Sequence, residues 1–358
     1  MTGRAVRAGA ALAAAAVLAA CAPSSGGHSL LGDPTPIGGS APVTAPPPSE
    51  YVSAAPTTTA STTTTTVVAT TSTTAAPSRP ARPYSVGWTQ LDLTDPRRPT
   101  ALRAGRHLPT YVFYPAVGPG GGAETNGAPG LYQNWPVVLF AEGYNGSFAA
   151  YHDVVHHLAA AGYVVLFPLF PLETAGGPEN EADLVNEPGD ITFVFGAALF
   201  ASSQPGLLHA MLDGSNLAMI GHSDGGEAVL GAAYLPGQMD GRVGVVIAGA
   251  AQGVLLGNKG GSGVAHDVMI IQGTSDTINP PSYGDNLFAT SPSPKAYLQL
   301  LGASHLEPWS TADQWHGIVL TSIVDWLDQW IPGLYSAGAS ARLGHDADVP
   351  GVAQVRLG

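Results

Sequence analysis

The sequence predicts an α/β fold: a mostly parallel central sheet with helices on both faces. Three observations carry that prediction. Short continuous apolar runs, Trp135–Phe140 (WPVVLF) and Tyr163–Phe167 (YVVLF) foremost, suit strands buried on both faces. Segments with apolar residues at helical spacing stand between such runs. Strands alternating with helices imply βαβ units, whose strands lie parallel.

The elements follow in order. Tyr84–Leu93 and Leu108–Tyr114 read as two strands joined by a polar loop with Pro96, Arg97 and Arg98. After Trp135–Phe140, the residues Phe148, Tyr151, His152, Val155, Leu158 and Ala159 recur at helical spacing, and Tyr163–Phe167 is the next buried strand. Ile191–Ala201 reads as a helix, Leu217–Ile220 as a strand and Gly225–Tyr234 as a helix. Val243–Ala248, Val268–Gln272 and Ala296–Leu301 complete the strands. A last helix is expected from about Thr311 to Trp330, with Ser310 and Asp313 as its capping box. The folded domain is expected over residues 84–334, and the Gly- and Ala-rich tail 335–358 is expected to be loosely ordered.

Composition limits the function. Of 358 residues, 13 are Lys or Arg and 26 Asp or Glu, a net charge of −13. That is the wrong sign for a nucleic-acid binder, which needs clustered cations. One cysteine excludes an internal disulfide framework and a Cys-based zinc or iron–sulfur site. The cysteine sits at the end of an N-terminal export signal: Arg4 and Arg7, then an apolar run from Ala8 to Ala20 that is too short to span a bilayer as a stable helix. Leu18-Ala19-Ala20-Cys21 resembles the lipobox of bacterial lipoproteins. The resemblance implies a signal peptide over residues 1–20, lipid on Cys21 and anchorage to the outer face of the cytoplasmic membrane. Residues 21–83, rich in Pro, Ser, Thr and Ala with an unbroken threonine run at 62–66, read as a disordered linker.

The chemistry centres on Gly221-His222-Ser223-Asp224-Gly225, a G-x-S-x-G with NLAMI before it and GEAVLGAAYL after it. A strand before and a helix after are what a nucleophile elbow needs. Gly221 and Gly225 are required because a Cβ at either would clash in so tight a turn. Ser223 then stands near the helix start, where backbone N–H groups face an incoming anion. A serine hydroxyl needs a base, usually a histidine oriented by a carboxylate. With such an elbow the acid follows the serine and the histidine follows the acid. His305, His316 and His345 qualify by order; His305 is favoured, because it follows the strand AYLQLL, at the strand end where ligands bind in open α/β sheets. Asp276, the first carboxylate after VMIIQ, is the favoured acid, with Asp285 as fallback. The oxyanion donors are expected to be the backbone N–H groups of Asp224 and of Tyr144, the latter in the Gly-containing loop after PVVLF.

These residues resemble the α/β-hydrolase superfamily, in particular its dienelactone-hydrolase-like, chlorophyllase, platelet-activating-factor acetylhydrolase and bacterial cutinase group. The likeness extends to SVGWTQLDLTDPRRP, YVFYPA, EGYNG, HHLAAAGYVVLFP and ITFVFGAALF. It implies a serine-dependent carboxylic ester hydrolase with Ser223, Asp276 and His305 as triad and Tyr144 and Asp224 as oxyanion donors, acting on a small-molecule or lipid ester. An acyltransferase on the same triad and a non-catalytic envelope-binding lipoprotein are the alternatives. Glu142 stands where relatives often carry His or Pro. The strand VGVVIAGAAQG lacks the tryptophan of polyester-degrading cutinases, whose C-terminal disulfide one cysteine cannot form. His222 is read as packing. His156 and His157 are adjacent on a helix and point apart, so no metal is expected, and without a G-x-G-x-x-G after the first strand no cofactor is expected either. A monomer is the expected state.

Overall fold

The computed structural model describes residues 82–262, 266–311, 313–331, 336 and 338–358. The expected signal segment 1–20, Cys21 and the linker as far as residue 81 lie outside the described residues.

The buried apolar runs become the middle of a ten-stranded sheet. Its strands are β1 (Ser85–Asp95), β2 (Arg106–Ala116), β3 (Thr125–Asn126), β4 (Trp135–Ala141), β5 (Val164–Pro168), β6 (Leu212–His222), β7 (Val243–Gly249), β8 (Asp267–Gly273), β9 (Lys295–Leu300) and β10 (Ala353–Leu357). Across the sheet they run β10-β9-β8-β7-β6-β4-β5-β2-β1-β3. From β5 to β9 every neighbouring pair is parallel. β2 lies antiparallel to β5, and β1 antiparallel to β2.

Alternate residues of each strand face opposite layers. Val137, Leu139 and Ala141 of β4 join a core with Val194 and Ala198 of α2 (Glu187–Ser203), Val229 and Ala233 of α3 (Asp224–Tyr234) and Leu287 of α4 (Pro281–Thr290). Val138 and Phe140 join the other core, with Val155 and Leu158 of α1 (Phe148–Ala160) and Val319, Ile323 and Trp326 of α5 (His316–Trp330). Two dry layers on one sheet explain why the central strands read as unbroken apolar runs rather than alternating ones.

Two expectations are corrected. The tail is not loose: Ala339–Asp346 forms α6 and β10 pairs antiparallel with β9, Val355 opposite Leu298. Its Ala339, Leu343 and Ala347 are fully buried where α6 packs against α5. Arg342 adds salt bridges to Asp325 at 2.6 Å and Asp328 at 3.0 Å. The last helix starts at His316 and not at Thr311, so Ser310 and Asp313 do not cap it. Successive tight turns occupy that stretch: the N–H groups of Ser310, Asp313 and His316 donate to Glu307, Ser310 and Asp313 carbonyls. They turn Trp309 into the core, against His222 at 4.9 Å and Phe140 at 6.0 Å between ring centroids.

The described chain enters at the edge of the sheet where the parallel strands begin. Arg82 there grips Asp328 of α5 through two hydrogen bonds of 2.7 Å, and the Tyr84 N–H donates to Ala160 at the end of α1.

Candidate active site

β4 and β6 are neighbours, yet the chain leaves β4 toward β5 on one side and β6 toward β7 on the other. The crevice beyond their C-terminal ends is where open α/β sheets take ligands. Ser223 stands there, at φ 56° and ψ −121°, in a region that L side chains rarely adopt. The glycines hold it. A Cβ on Gly221 would lie 2.0 Å from the Gly225 carbonyl oxygen, and one on Gly225 would lie 2.2 Å from that of Ala141. The Ser223 N–H donates to Gly249 of β7 at 2.8 Å, which fixes the turn to the next strand.

His305 reaches Ser223 from the loop after β9. Its Nε2 is 3.0 Å from Ser223 Oγ and its Nδ1 is 2.8 Å from Asp276 Oδ2. Asp276 is held from three sides: Oδ1 accepts the N–H groups of Ile278 and Asn279 at 2.9 and 2.8 Å, and Oδ2 also accepts Gln272 Nε2 at 3.0 Å. Its carboxylate is thereby fixed in place before the imidazole is counted. The structure brings Ser223, His305 and Asp276 into one hydrogen-bonded line. The other residues weighed by chain order lie elsewhere. Asp285 pairs with Arg356 at 2.8 Å, His316 with Asp153 at 2.8 Å, and His345 with its neighbour Asp346.

The loop after β4 lies against this line. A Cβ on Gly143 would sit 3.0 Å from Ser223 Cβ. On either side of Tyr144 the backbone donors are engaged: Gly143 N–H with Tyr151 Oη at 3.3 Å and Asn145 N–H with the Glu173 carbonyl at 2.8 Å. The Tyr144 N–H lies between them. Asp224 opens α3, and a first-turn N–H has no carbonyl one turn back to bond.

His222 does more than pack. Tyr151 Oη accepts from Gly143 and is 2.9 Å from His222 Nδ1, while His222 Nε2 is 3.1 Å from the His305 carbonyl oxygen. Full burial, with His305 second, holds the His222 pKa well below the ordinary imidazole range. The ring is neutral, and one tautomer satisfies both bonds: Tyr151 donates to Nδ1 and Nε2–H donates to His305. The loop after β4, the elbow and the backbone of His305 are thus threaded on one chain of donors. Helical spacing in the sequence shows that Tyr151 is buried, but not that its hydroxyl has partners.

Carboxyls crowd one flank. Burial, offset in part by the hydroxyl of Thr174 that donates to Glu142 Oε1, pushes Glu142 up to about 7. Burial, then the charges of Glu181 and Glu227, raises Asp224 to about 7. Glu227 itself is buried, and its carboxylate accepts the N–H groups of Gly253 at 2.8 Å and Val254 at 2.7 Å.

Residues 127–248 match the chlorophyllase family model. Among solved structures, a ferulic acid esterase from Streptomyces cinnamoneus superposes with a TM-score of 0.58 at 16% identity, covering 78% of this chain and 98% of its own. No curated protein aligns significantly with the chain. A serine elbow on a parallel strand, the strand order around it and these two likenesses give the chain an α/β-hydrolase fold.

Proposed function

We propose that the chain is a serine-dependent hydrolase of carboxylic esters. The observation that carries this reading is the line Asp276–His305–Ser223, with the hydroxyl 3.0 Å from an imidazole nitrogen that can accept its proton. In the proposed reaction Ser223 Oγ attacks the ester carbonyl while His305 Nε2 takes the hydroxyl proton. Asp276 holds the Nδ1–H tautomer and stabilises the imidazolium that forms. Negative charge develops on the carbonyl oxygen, and the N–H groups of Tyr144 and Asp224 are the donors for it. Collapse breaks the bond to the alcohol, which leaves with the proton from His305. Water then attacks the acyl-serine by the same route in reverse, and the acid is released.

The match to the chlorophyllase family and the esterase fold support ester cleavage over other hydrolytic chemistry. Ser223→Ala, confirmed folded by circular dichroism, is expected to lower kcat/KM for short p-nitrophenyl esters by at least about 10³-fold, and to abolish labelling by a fluorophosphonate. A variant as active as the parent would remove the assignment.

A further inference from the structure

Behind the loop Gly143–Gly146 lies a set of carboxyls that the proposed reaction does not use. Glu173 follows β5, and Glu187 opens α2; both side chains are fully buried. Their carboxyls lie within hydrogen-bonding reach of each other, and none of their four oxygens meets a donor. Glu142 and Asp224 each add one sealed oxygen without a donor, Oε2 and Oδ2. Glu181 and Asp183 face the group from the turn before α2, and Asp190 from α2 itself. Glu227 faces Asp224 from α3, and His305 faces it from the loop after β9. The charge of Glu173 is also felt by the hydroxyls of Tyr144 and Tyr151. The guanidinium groups on this side are engaged: Arg106 by Asp183 and Asp190, Arg98 by Asp95 and Asp190.

Two touching carboxyls sealed from water do not both ionise, because neither charge is solvated and each repels the other. One proton turns the contact into an O–H···O bond and supplies the missing donor. The backbone of Glu173 is also the support of the loop. Its carbonyl accepts the Asn145 N–H at 2.8 Å, and two residues on the Ala175 N–H donates to Gly146 at 2.7 Å. Where Glu173 sits, the Tyr144 N–H follows.

We propose that Glu173 and Glu187 share a proton, and that this bond makes them positioning residues for the loop Gly143–Gly146 beside Ser223. Loss of the proton at alkaline pH drives the two carboxylates apart and slackens the loop. The inference rests on the ester-hydrolase reading for its kinetic consequence, though not for the pair itself. Burial, then the charges of Asp224 and Glu142, pushes Glu173 up to about 9, and Glu187 also stands well above the carboxylate range. Glu142 and Asp224, at about 7, ionise first and strengthen the hold on the shared proton.

The test is the pH profile of kcat/KM for p-nitrophenyl butyrate with the full chain, from about pH 6 to about pH 10.5. The parent is expected to lose about tenfold on an alkaline limb centred near 9. Glu173→Gln and Glu187→Gln each place an amide N–H where the proton was, and it cannot be released. Both are expected to flatten the limb to within about twofold. Glu173→Ala offers no donor and is expected to be slower than Glu173→Gln throughout. A role in stability alone would move the melting temperature of all three and leave the limb in place, which overturns the proposal. Infrared spectra of protein with ¹³C-labelled glutamate read the pair without reference to activity. A carboxylic-acid C=O band is expected at about pH 8 in the parent and is expected to be lost in both Gln variants. Its absence from the parent, or its replacement on addition of calcium chloride, sinks the shared proton. An intact band in a chain that cleaves no ester would instead sink the functional reading and keep the pair.

Discussion

Tyr151 serves three parts of the site with one hydroxyl. It accepts from Gly143 in the loop after β4 and donates to His222 in the elbow, whose other nitrogen donates to the backbone of His305. Tyr151→Phe keeps the ring and removes both bonds, leaving the Gly143 N–H and His222 Nδ1 without partners in a sealed space. Each orphaned group costs about 1–3 kcal/mol if nothing moves, so the loop is expected to shift. In steady-state kinetics the variant is expected to lose about tenfold in kcat with KM nearly unchanged, because in the proposed reaction the loop acts on the developing oxyanion more than on the bound ester. At this scale the sequence is uneven. Gly221, Ser223 and Gly225 are legible because sterics permit little else at such a turn. Asp276 and His305 are legible through chain order and the ends of strands. The Tyr151–His222 link is not, since a hydroxyl on an apolar helical stripe looks the same whether or not it has partners. The carboxyls of Glu173 and Glu187 are no more visible, because they come together from different elements and no spacing announces them.

Arg106 shows how elements around the site are fixed to one another. It opens β2 and is only 1% exposed, yet it binds Asp183 in the turn before α2 and Asp190 within α2, at 2.6 and 2.5 Å. Arg106→Met would leave buried Asp183 without its cation and buried Asp190 with Arg98 alone. The expected loss is about 3–5 kcal/mol in urea unfolding. A triple variant that replaces all three with apolar residues of similar volume is expected to recover most of it, because the desolvation cost goes with the charges. The same pattern of near and far determinants explains which elements are readable. β4, β5, β7 and β8 are buried on both faces, and their apolar runs announce them. The start of α5 is misjudged because Ser310 and Asp313 have the spacing of a cap, while the packing of Trp309 turns the chain there. The tail is misjudged because Ala and Gly suggest weak burial; here Ala339, Leu343 and Ala347 are sealed where α6 packs against α5, and β10 draws its stability from pairing with β9.

For the molecule as a whole, the carboxyl group makes stability depend on pH. Glu142, Glu173, Glu187 and Asp224 all have raised pKa values in the folded chain. As pH rises past the ordinary carboxylate range the unfolded chain releases these protons while the folded chain retains them, so stability falls until the folded values are passed. For Glu173 that window runs from 4.5 to about 9. Melting temperature is therefore expected to drop between about pH 6 and about pH 9, and a scan at several pH values would show it; an unchanged or rising value would contradict the buried, proton-holding state.

The way the chain enters the sheet fixes which way the molecule looks. β1 begins opposite the end of β2, Ser85 against Ala116, while the start of β2 lies toward Pro168 at the end of β5. Arg82, locked to Asp328, therefore sits at the pole opposite Ser223. The first described residues and the crevice above Ser223 thus lie at opposite ends of the parallel strands, and the approach to the serine is left clear of Arg82 and its ion pair.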